Sequence, residues 1–204
     1  IHNTPDQYRG IYALPATPFN ADETLDIRSL ESVLEFSVEN GCHGIVMPVM
    51  ASEYQALTDT ERKQVFDLTT KVVANRIPTV AGISGISNIH SIELAKYAEG
   101  VGFDSVIAMP PFNIASPSTD FFELLSDAVN VSIWIQNHSL GAPFNAEQLA
   151  DLCKNVENVS YVKEETIFAA QLTTALLDQA GDSVKGVMGG MGCKFLISEF
   201  NRGM

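Results

Sequence analysis

Short apolar runs rich in β-branched residues alternate along this chain with longer stretches in which apolar residues recur every three or four positions. The first pattern fits a strand buried on both faces and the second an amphipathic helix, so their alternation predicts βα units around a parallel sheet. Seven strands are expected, over residues 10–14, 44–49, 79–81, 105–109, 132–136, 159–163 and 185–188. Helical periodicity covers 27–39, 59–73, 89–100, 121–128, 146–155, 168–179 and 193–201. Thr58 with Glu61 and Asn145 with Gln148 have the spacing of capping boxes, and Gly41, Gly102 and Gly181 stand where helices should stop.

One strand recurs about every 25 to 30 residues, as βα units require, and no Gly/Ser/Pro-rich linker or low-complexity tract divides the chain. A single α/β domain over 1–204 is expected, of the TIM (β/α)8 barrel type. Such a barrel needs eight strands and about 250 residues, so the eighth strand and the C-terminal helices are expected to be missing from this chain. An open doubly wound sheet is the competing architecture, but no GxGxxG follows the first strand.

Composition narrows the partners. Against 25 acidic residues stand 12 scattered basic ones, a net charge of −13, which argues against a nucleic-acid surface and for a small-molecule partner. Cys42, Cys153 and Cys193 lack disulfide or zinc spacing. No apolar run reaches the length of a membrane span, and residues 1–9 have no signal-peptide layout, so a cytoplasmic protein is expected.

In a barrel the chemistry lies where strands end. Three ends carry reactive groups: Met50-Ala51-Ser52-Glu53, Gln136-Asn137-His138 and Lys163-Glu164-Glu165. Lys163 closes an apolar strand. Buried without a counter-charge, a lysine tends toward its neutral, nucleophilic form, which can condense with a ketone. Strand alternation puts Tyr161, Lys163 and Glu165 on one face. A lysine merely paired with Glu164 or Glu165 fits the same spacing.

Thr17-Pro18-Phe19 after the first strand, the 53–62 stretch with Leu57-Thr58 and Glu61-Arg62, and the pair Lys163-Glu164 together resemble the dihydrodipicolinate synthase and N-acetylneuraminate lyase superfamily of class I lyases. The resemblance covers the whole chain and implies that Lys163 is the imine-forming lysine. It also implies a homo-oligomer, a tetramer by analogy, that needs no cofactor or metal. Three synthase features are absent: Met50-Ala51-Ser52-Glu53 replaces Thr-Thr-Gly-Glu, Pro111-Phe112 replaces an aromatic pair, and Gln136-Asn137 replaces Tyr-Asn. Methionine, phenylalanine and glutamine cannot relay a phenolic proton. No arginine for a second carboxylate follows in His138-Ser139-Leu140-Gly141, so a dihydrodipicolinate synthase is not expected.

Gln136 with Lys163-Glu164-Glu165, Gly189-Gly190-Met191-Gly192 and Asn201-Arg202-Gly203 instead resemble the sugar-acid branch, particularly 2-keto-3-deoxy-L-arabonate dehydratases. That resemblance implies a small 2-keto acid substrate, with Lys163 as nucleophile, Glu165 as proton carrier and Gln136 as hydrogen-bond partner of the substrate hydroxyls. Ala51 and Ser52 are the expected cradle for the substrate carboxylate, closed on its other side by Gly189 and Gly190. Glu53 is read as a buried structural carboxylate, Cys193 as the opening of a helix, and His43, His90 and His138 receive no role. The alternatives are a pyruvate-releasing aldolase of the same superfamily and a related protein without catalytic activity.

Overall fold

Caps and breakers set most element boundaries. A computed structural model describes residues 8–111, 119–141 and 143–204, and they form two compact units: residues up to Ile83 with Glu93–Val106, and Ser84–Ile92 with Ile107–Met204.

In the first unit, β1 (Tyr12–Ala13) pairs in parallel with β2 (Gly44–Met47), and β2 with β3 (Thr79–Gly82). Helices α1 (Ile27–Glu39) and α2 (Asp59–Val73) connect them. Asp26 caps α1 by accepting from Ser29, and the Thr58–Glu61 capping box is formed on both sides, fixing the starts at the expected residues. Leu30 and Leu34 on α1 meet Ile45 and Met47 on β2 and Val65, Leu68 and Val72 on α2 in one core cluster. β1 is shorter than the apolar run suggested. Gly10 has a φ of +92° at one end, and Pro15, at the other, has no N–H for a ladder.

Helix α3 (Asn88–Val101) and β4 (Ser105–Ala108) follow, then α4 (Asp120–Ser126). In the second unit, β5 (Ser132–His138), β6 (Val159–Glu165) and β7 (Gly186–Gly189) pair in parallel in that order. They alternate with α5 (Ala146–Asn155) and α6 (Ala169–Ala180), and α7 (Leu196–Phe200) follows β7. Asn145 and Gln148 close the capping box of α5. Trp134 and Tyr161 stack on one face of β5 and β6 with ring centroids 5.1 Å apart.

Both β5 and β6 run two residues beyond their expected ends, because polar side chains at those positions find partners across the strands. The last helix starts later than expected. Met191, Gly192 and Cys193 all have φ between +53° and +63°, so Cys193 lies in a tight turn and opens no α-helix. Seven strands lie among the described residues, and no helix there is long and apolar enough to cross a membrane.

Candidate active site

Parallel pairing of β5 and β6 puts Gln136 beside Lys163, Asn137 beside Glu164 and His138 beside Glu165. Side chains alternate between faces, so this register sorts six polar residues into two groups. On one face, Lys163 Nζ lies 2.7 Å from Glu165 Oε2, and Gln136 Nε2 donates to the same oxygen at 2.9 Å. Lys163 is 6% exposed, and the side chains of the ion pair are equally shielded. The charge-assisted pair is short and held from two sides.

Lys163 is buried, but a counter-charge sits against it. Burial pushes the Glu165 carboxyl up, while the charge and hydrogen bond of Lys163 and the amide of Gln136 pull it down further, so it ends below the usual glutamate value. Glu165 is therefore the carboxylate of an ion pair at rest and can take the ammonium proton directly.

On the opposite face, Asn137 Nδ2 donates to Glu164 Oε2 at 2.7 Å, and the Thr166 N–H donates to Glu164 Oε1 at 2.8 Å. Among the described residues no cation compensates. Burial raises the Glu164 carboxyl above its usual value, and its hydrogen bonds only partly offset this.

The two glycines at the end of β7, Gly189 as its last residue and Gly190 just beyond it, make room for carboxylates. A Cβ on Gly190 would collide with the Glu165 carboxylate, and one on Gly189 with that of Glu199 from α7. Glu199 is buried and its carboxyl is raised by desolvation. It was not anticipated, because a carboxylate inside a short C-terminal helix looks like a solvated face. The structure thus puts Gly190 beside a site carboxylate, and Gly189 beside a different one.

The end of β2 belongs to the first unit and is built differently. Residues Met50–Ser52 form a single 3-10 turn in which the Ser52 N–H donates to the Val49 carbonyl at 2.9 Å, so that amide is already committed. The Ser52 carbonyl accepts the Thr17 hydroxyl at 2.6 Å, and the Ser52 hydroxyl is fully buried without a hydrogen-bond partner. Ala51 is exposed. Glu53 is exposed too, with a φ of +56°, and the reading of a buried carboxylate there is corrected. The buried charge nearby is Arg62. Its Nη2 donates to the Gly82 carbonyl at 2.8 Å, its guanidinium packs 5.1 Å from the Tyr54 ring centre, and burial pushes its pKa down to about 10.

Other sequence features resolve into structure. His43, His90 and His138 each accept a backbone N–H on Nδ1, from Ile11, Ile86 and Leu140. Among the described residues no group of three His, Cys, Asp or Glu side chains could hold a metal ion. Phe112 of the altered aromatic pair lies outside the described residues.

Comparisons with known proteins show which family the chain resembles. L-2-keto-3-deoxyarabonate dehydratase of Azospirillum brasilense is 29% identical over 98% of this chain and 67% of its own. A 4-hydroxy-tetrahydrodipicolinate synthase of Desulfotalea psychrophila is 28% identical over 98% of this chain and 72% of its own. Other curated synthases are matched over little more than half their length, 55% for that of Bartonella bacilliformis. The crystal structure of dihydrodipicolinate synthase from Aquifex aeolicus superposes with a TM-score of 0.82 over 96% of this chain and 78% of its own, at 22% identity, which establishes the barrel-type fold. The dihydrodipicolinate synthetase family model matches residues 7–189, and the chain belongs to that family, whose matched members include a dehydratase, synthases and a DapA-like lyase.

Proposed function

We propose that this protein is a class I lyase that dehydrates a 2-keto-3-deoxy sugar acid through an imine on Lys163. The observation that carries this reading is the Glu165 carboxylate, held 2.7 Å from Lys163 Nζ and 2.9 Å from Gln136 Nε2. The name of the Azospirillum relative supports the substrate class.

Glu165 takes the ammonium proton, and the neutral Lys163 amine adds to the C2 carbonyl of the keto acid. Loss of one water, on proton return from Glu165, leaves a cationic imine, which makes the C3 hydrogens acidic. Glu165, again a carboxylate, removes one of them to give an enamine. The C4 hydroxyl then departs as a second water, carrying that proton with it, and the C4–O bond electrons leave with the oxygen. Hydrolysis of the conjugated imine consumes one water and frees Lys163, so the net change is loss of one water. Gln136 holds Glu165 and a substrate hydroxyl.

Borohydride reduction of the protein with 2-keto-3-deoxy-L-arabonate, followed by peptide mass mapping, tests this. The expected result is a reduced adduct on Lys163, with a product that keeps all the substrate's carbons. Release of pyruvate would make the protein an aldolase of the same chemistry. No adduct would show that it does not act through an imine.

A further inference from the structure

Behind the ion pair, Asn137 and Glu164 form a second cross-strand pair, each about 1% exposed. Asn137 is used completely. Its Oδ1 accepts the Phe144 N–H at 2.8 Å, and its Nδ2 donates to the Phe144 carbonyl at 3.1 Å and to Glu164 Oε2 at 2.7 Å. Its side chain thereby acts as a short strand partner for the far end of the loop that follows β5. Glu164 Oε1 takes the Thr166 N–H at 2.8 Å and closes the turn immediately after Glu165. One buried network therefore ties the end of β5, the end of β6 and the residues following each.

We infer that Asn137 and Glu164 are positioning residues for the reaction, locking the register in which Gln136 and Lys163 both reach Glu165. This rests on the catalytic reading above. Gln136 and Glu165 immediately flank Asn137 and Glu164 in sequence on the other face, so a shift of either strand end moves the carboxylate relative to the amine. Misplacement of a proton carrier by about 1 Å can cost about 10²-fold in rate. Maintaining a carboxyl group in a site without a cation is unfavourable, which burial's upward push on Glu164 records. An apolar pair would fill the same space without four directed hydrogen bonds.

The test separates imine formation from proton transfer, using pyruvate as the probe on the whole protein. Borohydride trapping reports the imine, and exchange of the pyruvate C3 hydrogens in deuterium oxide reports removal of the proton by Glu165. Glu164→Gln turns one acceptor into a donor, so the Asn137 Nδ2 and Thr166 N–H donors can no longer both be accepted. It should leave trapping within about threefold of the parent while exchange falls at least tenfold. The double variant Asn137→Asp/Glu164→Gln restores the cross-strand bond with donor and acceptor exchanged but leaves the Phe144 carbonyl without its donor, and should recover part of the lost exchange. The inference is overturned if exchange is unchanged in Glu164→Gln, if exchange and trapping fall together in proportion to unfolded protein, or if the double variant recovers nothing. Absence of any adduct on Lys163 in the unaltered protein would overturn the catalytic reading itself, and this inference with it.

Discussion

Glu164 and Glu165 are neighbours on β6, and burial pushes both carboxyl groups toward protonation, yet they end on opposite sides of the usual glutamate value. The backbone that carries them is the same. What differs is the partner that alternation supplies: Lys163 shares a face with Glu165, while Glu164 meets the neutral amide of Asn137. Burial alone therefore does not decide which carboxylate can accept a proton. A compensating cation does, and here it is also the proposed nucleophile. The face with the cation is suited to proton transfer, and the face without it to fixed hydrogen bonds.

Removing that cation is the strongest way to break the contrast. Lys163→Met keeps a side chain of similar length but no amine, so no imine can form, and turnover should fall by at least about a thousandfold. The same change leaves Glu165 buried beside Gln136 alone. Its carboxyl should then move up, toward the behaviour of Glu164. Carbon-13 NMR titration of the glutamate side chains would follow both residues. If Glu165 stayed low in Lys163→Met, the cation would not be the cause of the difference.

A smaller effect is expected from the backbone that borders each carboxylate. Gly190→Ala puts a methyl group where the Glu165 carboxylate lies, so that carboxylate must turn away from Lys163, and turnover should drop on the order of 10²-fold while borohydride trapping persists. Gly189→Ala displaces Glu199 instead. Steady-state kinetics on the two variants should show the larger loss of kcat in Gly190→Ala. Equal losses would mean that the turn after β7 acts only as a structural unit.

Much of this was legible from the chain. The periodicity placed all seven strands and helices, because buried runs and amphipathic stretches leave different spacings. Thr58, Glu61, Asn145 and Gln148 cap as their spacing requires. Alternation alone put Lys163 and Glu165 on one face. What spacing cannot encode is register between strands, so the meeting of Gln136 with Glu165, and of Asn137 with Glu164, appears only once β5 and β6 are paired. The Asn137 side chain clamps a backbone segment seven residues away, and no pattern of apolar and polar positions signals such a bond. The late start of α7 escaped for a related reason. Met191 and Cys193 adopt left-handed backbone that their residue types disfavour, which local propensity reads as helix.

The smallest expected effect is on stability against pH, and here the two carboxylates act with opposite sign. Glu165 has its folded pKa below the usual 4.5. Its contribution is fully present above about pH 4.5 and is lost as the pH falls through the lower folded value. Glu164 has its folded pKa above 4.5. Its contribution is present below the unfolded value and is lost as the pH rises from 4.5 through the raised folded value, because the folded protein then holds a proton that the unfolded chain has released. Glu164→Gln should therefore flatten the loss of stability on the neutral side, and Glu165→Gln the loss on the acid side. Urea unfolding of each variant from pH 3 to 7, compared with the parent, reads both slopes. The same sign of change in the two variants would show that one shared network, and not two separately compensated faces, governs these neighbouring groups.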